Sequence, residues 1–462
     1  MNIYLQIEIA ARELDSKLLL AVVAAAKGHD VLVAEKAVIN KGVINGLLAP
    51  GIVHKKDIAP LKGAVSLNNA INSTGSLITC TDEEATLIDY NFDWVARARF
   101  SEATLGQAAA VFGWGDSDTE TLKRFYPDYA DKIYLTGAPR VDLWTTKFRD
   151  YWDKPTGLPE RPYLLVSSNM AIANNKRPFH ESIRYERDSG GFYDRDPEMF
   201  SRKFGMAAEH YQMTYAFIEA IRYLGENADG FDIVLRPHPV ENIEAWKVFL
   251  DGIPNVHVIR EGSITAWVNH AFAVMHNGCT TAVEATISRK PVITYIPFEQ
   301  KYTRELANDL GVRAHTPDEL FQRVCECFES DIRGTDQSDT TSLPDIIIRK
   351  TYIDENRLAA KKILDLWEEI GQDLSSQSSD WRKFKRRLSY LWLRSVLGSL
   401  ARRLFTRRIG VLKNNYKFPP FDREEIENKV EKLQQILNLD GKVTCELLSH
   451  RAVLIRPYRN LK

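Results

Sequence analysis

The sequence predicts an α/β fold built from two successive doubly wound arrays of strands and helices. The first array opens with a strand in residues 2–10, a helix over about 14–27 and a second strand near 30–36. The helix repeats its apolar residues at the 3.6-residue period of a face packed on a sheet. A second strand series begins at Tyr163. The stretch between the two series, 145–161, is polar and contains two prolines, which predicts a connection between two domains.

Length and composition limit the possible architectures. A chain of 462 residues exceeds one ordinary core and fits two domains of about 150 to 200 residues with an appendage. We therefore expect a first domain at 1–150, a second at 160–370 and a carboxyl-terminal helical appendage at 373–462. With 44% hydrophobic and 27% charged residues, the composition is that of a soluble globular protein.

The same features disfavour several classes of protein. No apolar run approaches the roughly 20 residues needed to span a bilayer, and the amino terminus shows no basic region followed by an apolar core, so we expect a cytoplasmic protein. The five cysteines show no CxxC spacing, which indicates neither a disulfide framework nor a zinc site. The first strand-to-helix turn has no GxGxxG, so the dinucleotide-binding fingerprint is absent.

Acidic residues cluster at two strand ends of the first half. Asp82, Glu83 and Glu84 directly follow the strand SLITCT, and Glu8 lies at the end of the first strand. Adjacent carboxylates repel one another unless one is solvated, protonated or matched by a cation. A carboxylate at a strand end can act as a general acid or base, or as a nucleophile on a sugar carbon, so these four residues are catalytic candidates. The alternative is a solvated acidic cluster at a loop or helix start.

The most informative stretch is 231–299, where polar residues are concentrated at strand ends. The candidates for nucleotide binding are Arg236, His238, Pro239, Asn277, Gly278, Thr280, Thr281 and Glu284. In an open parallel sheet, ligands bind outside the carboxyl ends of the strands. A helix that begins at Thr280 or Thr281 would point free N–H groups at a phosphate there. Thr281 and Glu284 also have capping-box spacing, so this pair could instead hold the helix end.

The segment 174–199 precedes a predicted helix over about 204–226. It is highly charged and shows no sustained apolar period. A long polar loop over a site is often a lid, so the segment predicts either a lid or a disordered loop.

The segment 381–408 has ten Lys or Arg and no acid. Because the whole chain has a net charge of −1, the remainder carries −11, which indicates a local anionic partner rather than nucleic acid. Its apolar residues form one broad helical stripe, made of Phe384, Leu388, Leu391, Trp392, Val396, Leu400 and Leu404. We expect an interfacial helix on anionic lipid at the inner face of the cytoplasmic membrane. The alternative is that the stripe packs on the catalytic domains.

The order of motifs along residues 1–370 resembles a family of bacterial surface-carbohydrate biosynthesis proteins. The motifs are EIAARELDSKLLLA, TDEE, FGWGD, TGAPRVDLW, RPHP and HNGCTTAVEA. The HP pair followed by a hydroxyl-bearing turn is also similar to the donor site of bacterial sialyltransferases and Kdo transferases, which use CMP-activated sugars. The resemblance implies a GT-B-like fold with two Rossmann-type domains, in which His238 and Pro239 contact the nucleotide and Thr280 and Thr281 its phosphate. The sialyltransferase pattern has a glycine after its two acids, where this chain has Ala85.

The resemblance implies a glycosyltransferase, which we expect to be cytoplasmic and associated with the membrane through the basic segment. It would move a 2-keto acid sugar, Kdo or a nonulosonic acid, from CMP to a surface glycan such as capsule, O-antigen or lipopolysaccharide, with the acceptor glycan built on a lipid carrier. The CMP-sugar is the donor substrate, and we expect no further cofactor and no metal, because helix N–H groups, Arg236 and hydroxyls can supply the positive field. The alternatives are a UDP-sugar 2-epimerase, a CDP-polyol phosphotransferase, or a noncatalytic subunit that binds a glycan or nucleotide.

Overall fold

The computed structural model describes residues 1–83, 92–190, 197–303, 305–334, 342–374, 378–390, 418–439 and 441–458. Within them the chain forms two compact units, each with its own sheet. The first unit combines the residues up to Tyr151 with those from Asp345 onward, and the second runs from Trp152 to Pro344. The predicted α/β fold with two Rossmann-type doubly wound units is confirmed.

The described strands alternate with helices along most of the chain. The strands are β1 (Asn2–Ile7), β2 (Asp30–Glu35), β3 (Ile52–Lys55), β4 (Leu77–Thr81), β5 (Ala108–Gly113), β6 (Ile133–Leu135), β7 (Tyr163–Ser167), β8 (Asp232–Arg236), β9 (Val256–Val258), β10 (Ala273–His276), β11 (Val292–Tyr295), β12 (Val312–Ala314), β13 (Val443–Ser449) and β14 (Ala452–Pro457). The α-helices are α1 (Ala10–Ala26), α2 (Lys36–Ile44), α3 (Ala64–Asn72), α4 (Asp93–Arg99), α5 (Glu102–Gln107), α6 (Asp116–Phe125), α7 (Pro139–Asp142), α8 (Phe179–Gly190), α9 (Pro197–Asn227), α10 (Ile243–Phe249), α11 (Ile264–His270), α12 (Thr281–Ile287), α13 (Pro317–Ile332), α14 (Asp345–Lys350), α15 (Ala359–Ile370) and α16 (Arg423–Leu437).

The first sheet has the order β13-β14-β2-β1-β3-β4-β5-β6 within the described chain. From β2 to β6 neighbouring strands are parallel. Every residue of β1 is buried, and α1 buries most of its length, as expected of a central strand covered by a helix. The chain continues from β1 to β2 on one side of β1 and returns to β3 on the other, so the strand order reverses between β1 and β3.

The carboxyl-terminal hairpin extends this first sheet. Strand β14 pairs antiparallel with β2, and β13 pairs antiparallel with β14. The hairpin therefore covers the β2 edge, which would otherwise expose unpaired backbone groups. This arrangement differs from the predicted organisation, because the described residues from Asp345 onward belong with the first unit.

The basic segment is described only at its start, where residues 381–390 are helical. Phe384 is 1% exposed and Trp381 is 7% exposed, and both belong to the apolar core of the first unit. Leu388 is partly buried against the same core. The predicted lipid contact is therefore wrong for Phe384, which packs in the protein core, and the Leu388 side chain also packs partly on protein. The stripe residues from Leu391 onward lie outside the described residues.

The second sheet has the order β12-β11-β10-β7-β8-β9 in the described part of the chain, and all its neighbouring strands are parallel. Strand β7 is fully buried, and its core neighbours include Phe217, Phe231 and Trp246. From β7 the chain first builds β8 and β9 on one side and then places β10 on the other. The strand order of the second sheet thus reverses between β7 and β10.

The predicted polar loop at 174–199 is largely helical where it is described. Helix α8 occupies Phe179–Gly190 and α9 begins at Pro197, while residues 191–196 lie outside the described residues. The aromatic rings of Phe179, Phe200 and Phe204 form two edge contacts. The contact between Phe179 and Phe204 joins the two helices, and such a contact leaves no local apolar period in the sequence.

Candidate functional site

The loops after β7 and β10 meet at the reversal point of the second sheet. The backbone N–H of Asn169 donates to Asn277 Oδ1 over 3.2 Å, and Asn169 Nδ2 donates to the carbonyl of Gly278 over 2.9 Å. Gly278 has a φ of +105°, and a Cβ there would lie 2.5 Å from Asn308 Oδ1, so this turn requires glycine. The crevice outside such a reversal point is where open parallel sheets bind ligands.

A pocket opens beside these two loops. It is lined by Asn169, Glu209, His210, Met213, Asn277, Gln300 and Thr303. None of these described lining residues is a Lys or Arg, and most offer amide, imidazole or hydroxyl groups. Such groups suit the hydroxyls of a sugar or the edge of a nucleobase, which need both donors and acceptors.

His210 is the titratable ring in this pocket. Burial lowers the pKa of His210 to about 4; the charges of Lys203 and His238 act in the same direction, and Glu209 opposes them. The ring is therefore neutral at pH 7. Its Nδ1 is buried without a hydrogen-bond partner. An unsatisfied buried polar atom costs about 1–3 kcal/mol, so a ligand group that bonds to Nδ1 would recover that cost.

His238 lies at the end of β8, in the turn that the sequence singled out. Its ring is partly exposed, and Nδ1 accepts a long hydrogen bond of 3.4 Å from the backbone N–H of Val240. Pro239 is exposed next to it. His238 is close enough to His210 for their charges to interact. The turn thus presents an imidazole near the pocket.

A buried carboxylate, Glu241, holds this turn against the end of β7. Its oxygens accept hydrogen bonds from Ser168 Oγ over 2.8 Å, from Trp246 Nε1 over 2.6 Å and from the backbone N–H of Met170 over 2.8 Å. Burial raises the pKa of Glu241 despite these donors. Glu241 therefore fixes the relative position of the loops that carry Asn169 and His238.

Arg236, predicted to contact the nucleotide, is engaged by the protein itself. Its guanidinium donates to the backbone carbonyls of Arg260, Glu261 and Gly262 over 2.5–3.0 Å and lies 5.2 Å from the ring centre of Trp267. Burial lowers the pKa of Arg236 to about 10. These contacts give Arg236 a structural role in fixing the loop after β9.

The predicted helix start at Thr280 or Thr281 is confirmed, since α12 begins at Thr281. A capping box of Thr281 and Glu284 would require Thr281 as the N-cap residue. The N-cap is Thr280, whose side chain makes no capping hydrogen bond, so this alternative is not realised. The Thr281 hydroxyl is buried and accepts from Ser167 Oγ over 3.2 Å, and Glu284 is 2% exposed. Thr281 and Glu284 therefore face the interior, whereas Thr280 is partly exposed.

The reversal point of the first sheet carries a different set of groups. Glu8 follows β1, and its Oε2 lies 2.8 Å from both Lys36 Nζ and Lys56 Nζ. Burial acts to raise the pKa of Glu8, but hydrogen bonds and charge from the two lysines outweigh it and lower that pKa to about 2. Glu8 is thus held as a carboxylate and is a poor proton donor near neutral pH.

Two of the other acidic candidates also have cationic partners. Arg99 Nε donates to Asp82 Oδ2 over 2.6 Å, and Lys17 Nζ donates to Glu83 Oε1 over 2.7 Å. Glu84 lies outside the described residues. The predicted acidic cluster at the end of β4 is therefore divided between separate ion pairs rather than presented as a group of solvated acids.

Several pocket residues carried no signal in the sequence. Glu209, His210 and Met213 lie within the long helix α9, whose apolar period reveals only the face packed on the core. Gln300 and Thr303 follow β11 in a loop without a recognisable motif. Asn169 and Asn277 were detectable as polar residues at strand ends.

The described residues contain no group of three or more His, Cys, Asp or Glu placed to hold a metal ion. In the same part of the chain, none of the helices combines the length and apolar character of a membrane span.

No family model and no curated protein matches the chain. Among solved structures, it is similar to S. aureus MnaA in complex with UDP, with 12% identity, a TM-score of 0.47 and coverage of 82% of this chain and 99% of that chain. It is similar to the UDP-GlcNAc 2-epimerase from Methanocaldococcus jannaschii, with 11% identity, a TM-score of 0.46 and coverage of 80% and 100%. It is also similar to the wall teichoic acid polymerase TagF with CDPG, with 13% identity, a TM-score of 0.41 and coverage of 70% and 73%. Likeness at this level identifies no activity.

Proposed function

We propose that the chain is a sugar-nucleotide-dependent enzyme of surface-glycan synthesis and that the pocket between the β7 and β10 loops binds the nucleotide-linked donor. The observation that carries the proposal is the position of this pocket at the strand-order reversal of the second sheet, with a neutral His210 in its wall.

The pocket's chemistry supports a sugar or nucleoside as the bound group. Asn169, Asn277 and Gln300 carry amide groups, which can donate and accept more than one hydrogen bond each, and the neutral ring of His210 has one donor and one acceptor nitrogen. A buried ring nitrogen such as His210 Nδ1 discriminates strongly between ligands, because a ligand that lacks the matching hydrogen-bonding group leaves it unpaired.

The identity of the nucleotide is the finer part of the proposal. The motif resemblance implies CMP and a 2-keto acid sugar, whereas the names of the three structures above refer to UDP, UDP-GlcNAc and CDPG. A CMP-sugar transferase, a UDP-sugar 2-epimerase and a CDP-polyol phosphotransferase all require a pyrimidine nucleotide. An epimerase converts the sugar nucleotide alone, and either transferase releases nucleotide only when an acceptor is present.

Proton transfer in this proposal has candidates in both units. His210 is neutral and could accept a proton once an anionic ligand raises its pKa. In the first unit, Asp82 and Glu83 remain proposed catalytic acids, whereas the low pKa of Glu8 suits an electrostatic role better.

We also propose that residues 391–408 bind anionic lipid. The support is compositional: five arginines and no acid alternate with Leu, Trp, Val and Phe over this range. A lipid-linked acceptor would place the reaction near such a surface.

The proposed function is tested by measuring the unfolding temperature with CMP, UDP, CDP and GDP. A ligand that binds only the native state stabilises it by RT ln(1 + [L]/Kd). A pyrimidine nucleotide is expected to raise the unfolding temperature more than GDP does. Equal or absent shifts with all four would contradict the proposal.

A further inference from the structure

One carboxylate in the pocket wall is held by an unusual number of donors. Glu209 accepts hydrogen bonds from the backbone N–H groups of three successive residues, Lys301, Tyr302 and Thr303, over 2.8–3.1 Å. The Thr303 hydroxyl donates to the same carboxylate over 2.7 Å. We call the backbone N–H groups of 301–303 with this hydroxyl the amide nest.

Successive backbone N–H groups that converge on one point form an anion-binding concavity. The carboxylate of Glu209 supplies two of the oxygens that a phosphate could present to the same donors. The Thr303 hydroxyl also accepts from Gln300 Nε2 over 3.0 Å, which orients its proton toward the anion. The donor set is therefore complete without a cationic side chain.

The surrounding contacts fix the nest close to α9. A Cβ at Gly205 would lie 2.6 Å from the Tyr302 ring, so glycine permits the close approach of the ring to the helix. Gly205 lies one turn before Glu209 on α9, and Tyr302 is at the centre of the nest. This packing holds the loop against α9 independently of the Glu209 carboxylate.

The nest also opens toward the proposed ligand. Glu209, Gln300 and Thr303 line the same pocket as His210, Asn169 and Asn277. Glu209 is only partly buried, so its side chain has room to turn toward solvent.

We propose that the amide nest is a phosphate site and that Glu209 is its built-in competitor. A phosphate entering the pocket displaces the Glu209 carboxylate and takes over the N–H groups of Lys301, Tyr302 and Thr303 and the Thr303 hydroxyl. The inference rests on the proposed function only in taking the phosphate to be part of the pocket's ligand. It assigns phosphate recognition to the loop after β11 rather than to Arg236, whose two terminal nitrogens donate to backbone carbonyls.

The alternative is that Glu209 is a structural latch whose loss weakens the loop. The two roles predict opposite effects of Glu209→Gln, which keeps the size of the side chain and removes its charge. If Glu209 is a competitor, the substitution weakens its hydrogen bonds to the nest, because hydrogen bonds to charged groups are stronger than those to neutral ones. The affinity for pyrophosphate then increases by roughly tenfold. If Glu209 is a structural latch, the substitution leaves the affinity for pyrophosphate unchanged or lowers it.

The test is calorimetric titration of the full chain with pyrophosphate at constant ionic strength. Glu226→Gln is the matched control, because Glu226 is exposed on the same helix and its substitution changes the net charge equally. Tighter binding by Glu209→Gln and unchanged binding by Glu226→Gln support the proposal. Equal or weaker binding by Glu209→Gln overturns it, as does an equal gain in both variants, which would reflect net charge.

A second measurement uses the unsubstituted protein and does not depend on folding of the variant. Saturating pyrophosphate is expected to shift the backbone amide resonances of Lys301, Tyr302 and Thr303, whereas acetate at equal ionic strength leaves them unmoved. Unmoved resonances with pyrophosphate overturn the nest assignment. Because neither measurement uses a nucleotide, a protein that binds pyrophosphate here but no sugar nucleotide would retain the nest and reject the proposed function.

Discussion

Lys17 Nζ and Glu83 Oε1 form an ion pair of 2.7 Å in which the two side chains are 0% and 1% exposed. Lys17 lies in the middle of α1, among leucines and alanines, and Glu83 follows β4. The second oxygen of Glu83 is buried without a hydrogen-bond partner. Each of the two charges therefore requires the other, because removal of one partner would leave the remaining charge buried and unpaired in an apolar environment.

Glu83→Gln is expected to destabilise the first unit by about 3–5 kcal/mol, because Lys17 would remain buried without its partner. Denaturant unfolding measures the change. The double variant Lys17→Met with Glu83→Gln is the control and should recover much of the loss. A single variant as stable as the native protein would contradict the importance of the pair.

Asp82, which pairs with Arg99 rather than Lys17, allows a separate test of the catalytic prediction through the variant Asp82→Asn. If Asp82 transfers a proton, turnover should fall by roughly 10² to 10⁴ while donor binding persists. Asp128→Asn, at an exposed position, is the matched control. Near-normal turnover by a folded Asp82→Asn protein would remove Asp82 from the catalytic candidates.

The sequence predicts most of the strands because buried parallel strands are strongly apolar and end in polar turns. Asn277 and Gly278 were found this way. The partners of Arg236 could not be predicted, since the three carbonyls that accept from it lie more than twenty residues along the chain and leave no local signal. The sequence did not indicate His210 either, because helical periodicity does not reveal which polar side of a helix borders a pocket.

The carboxyl-terminal hairpin illustrates another limit of local reasoning. The sequence of β14 is typical of a strand, but its pairing with β2 joins residues separated by more than four hundred positions. Local sequence therefore does not predict its partner. Similarly, the apolar stripe that begins at Phe384 suits either lipid or protein, and only the packing of Phe384 in the core decides between them at that position.

Asp142 gives a prediction for the dependence of stability on pH. Its two carboxylate oxygens accept the backbone N–H groups of Ala359 and Ala360 over 3.0 Å each, at the start of α15. Burial raises the pKa of Asp142 to about 7, although these hydrogen bonds oppose the shift. The folded state therefore holds a proton that the unfolded state releases near pH 4, and the contribution of Asp142 to the free energy of unfolding falls as pH rises from about 4 to about 7.

Asp142→Asn removes this titration. The difference in the free energy of unfolding between the native protein and the variant should decrease as pH rises through this range, by about 1.4 kcal/mol for each unit of pKa shift. Chemical denaturation at several pH values measures it, with Asp128→Asn as control. A difference that stays constant or grows with pH would contradict the raised pKa.

The membrane proposal is tested on residues outside the described chain. Replacement of Arg402, Arg403, Arg407 and Arg408 by Gln should weaken flotation with anionic vesicles, since each cation near such a surface contributes about 1 kcal/mol. Replacement of the exposed residues Lys247, Arg323, Arg333 and Lys361 by Gln is the charge-matched control. Equal flotation of both variants and the native chain, or flotation of none, would reject lipid binding by this segment.

The central claim is that the pocket between Asn169 and Asn277 binds a pyrimidine sugar nucleotide, and calorimetric titration with CMP, UDP and CDP tests it most directly. We expect at least one of the three to bind the native protein. His210→Ala and His238→Ala should each weaken that binding by about 1–3 kcal/mol, while His180→Ala, at an exposed position on α8, leaves it unchanged. Absence of binding by the native protein, or equal affinity in folded His210→Ala and His238→Ala variants, would contradict the claim.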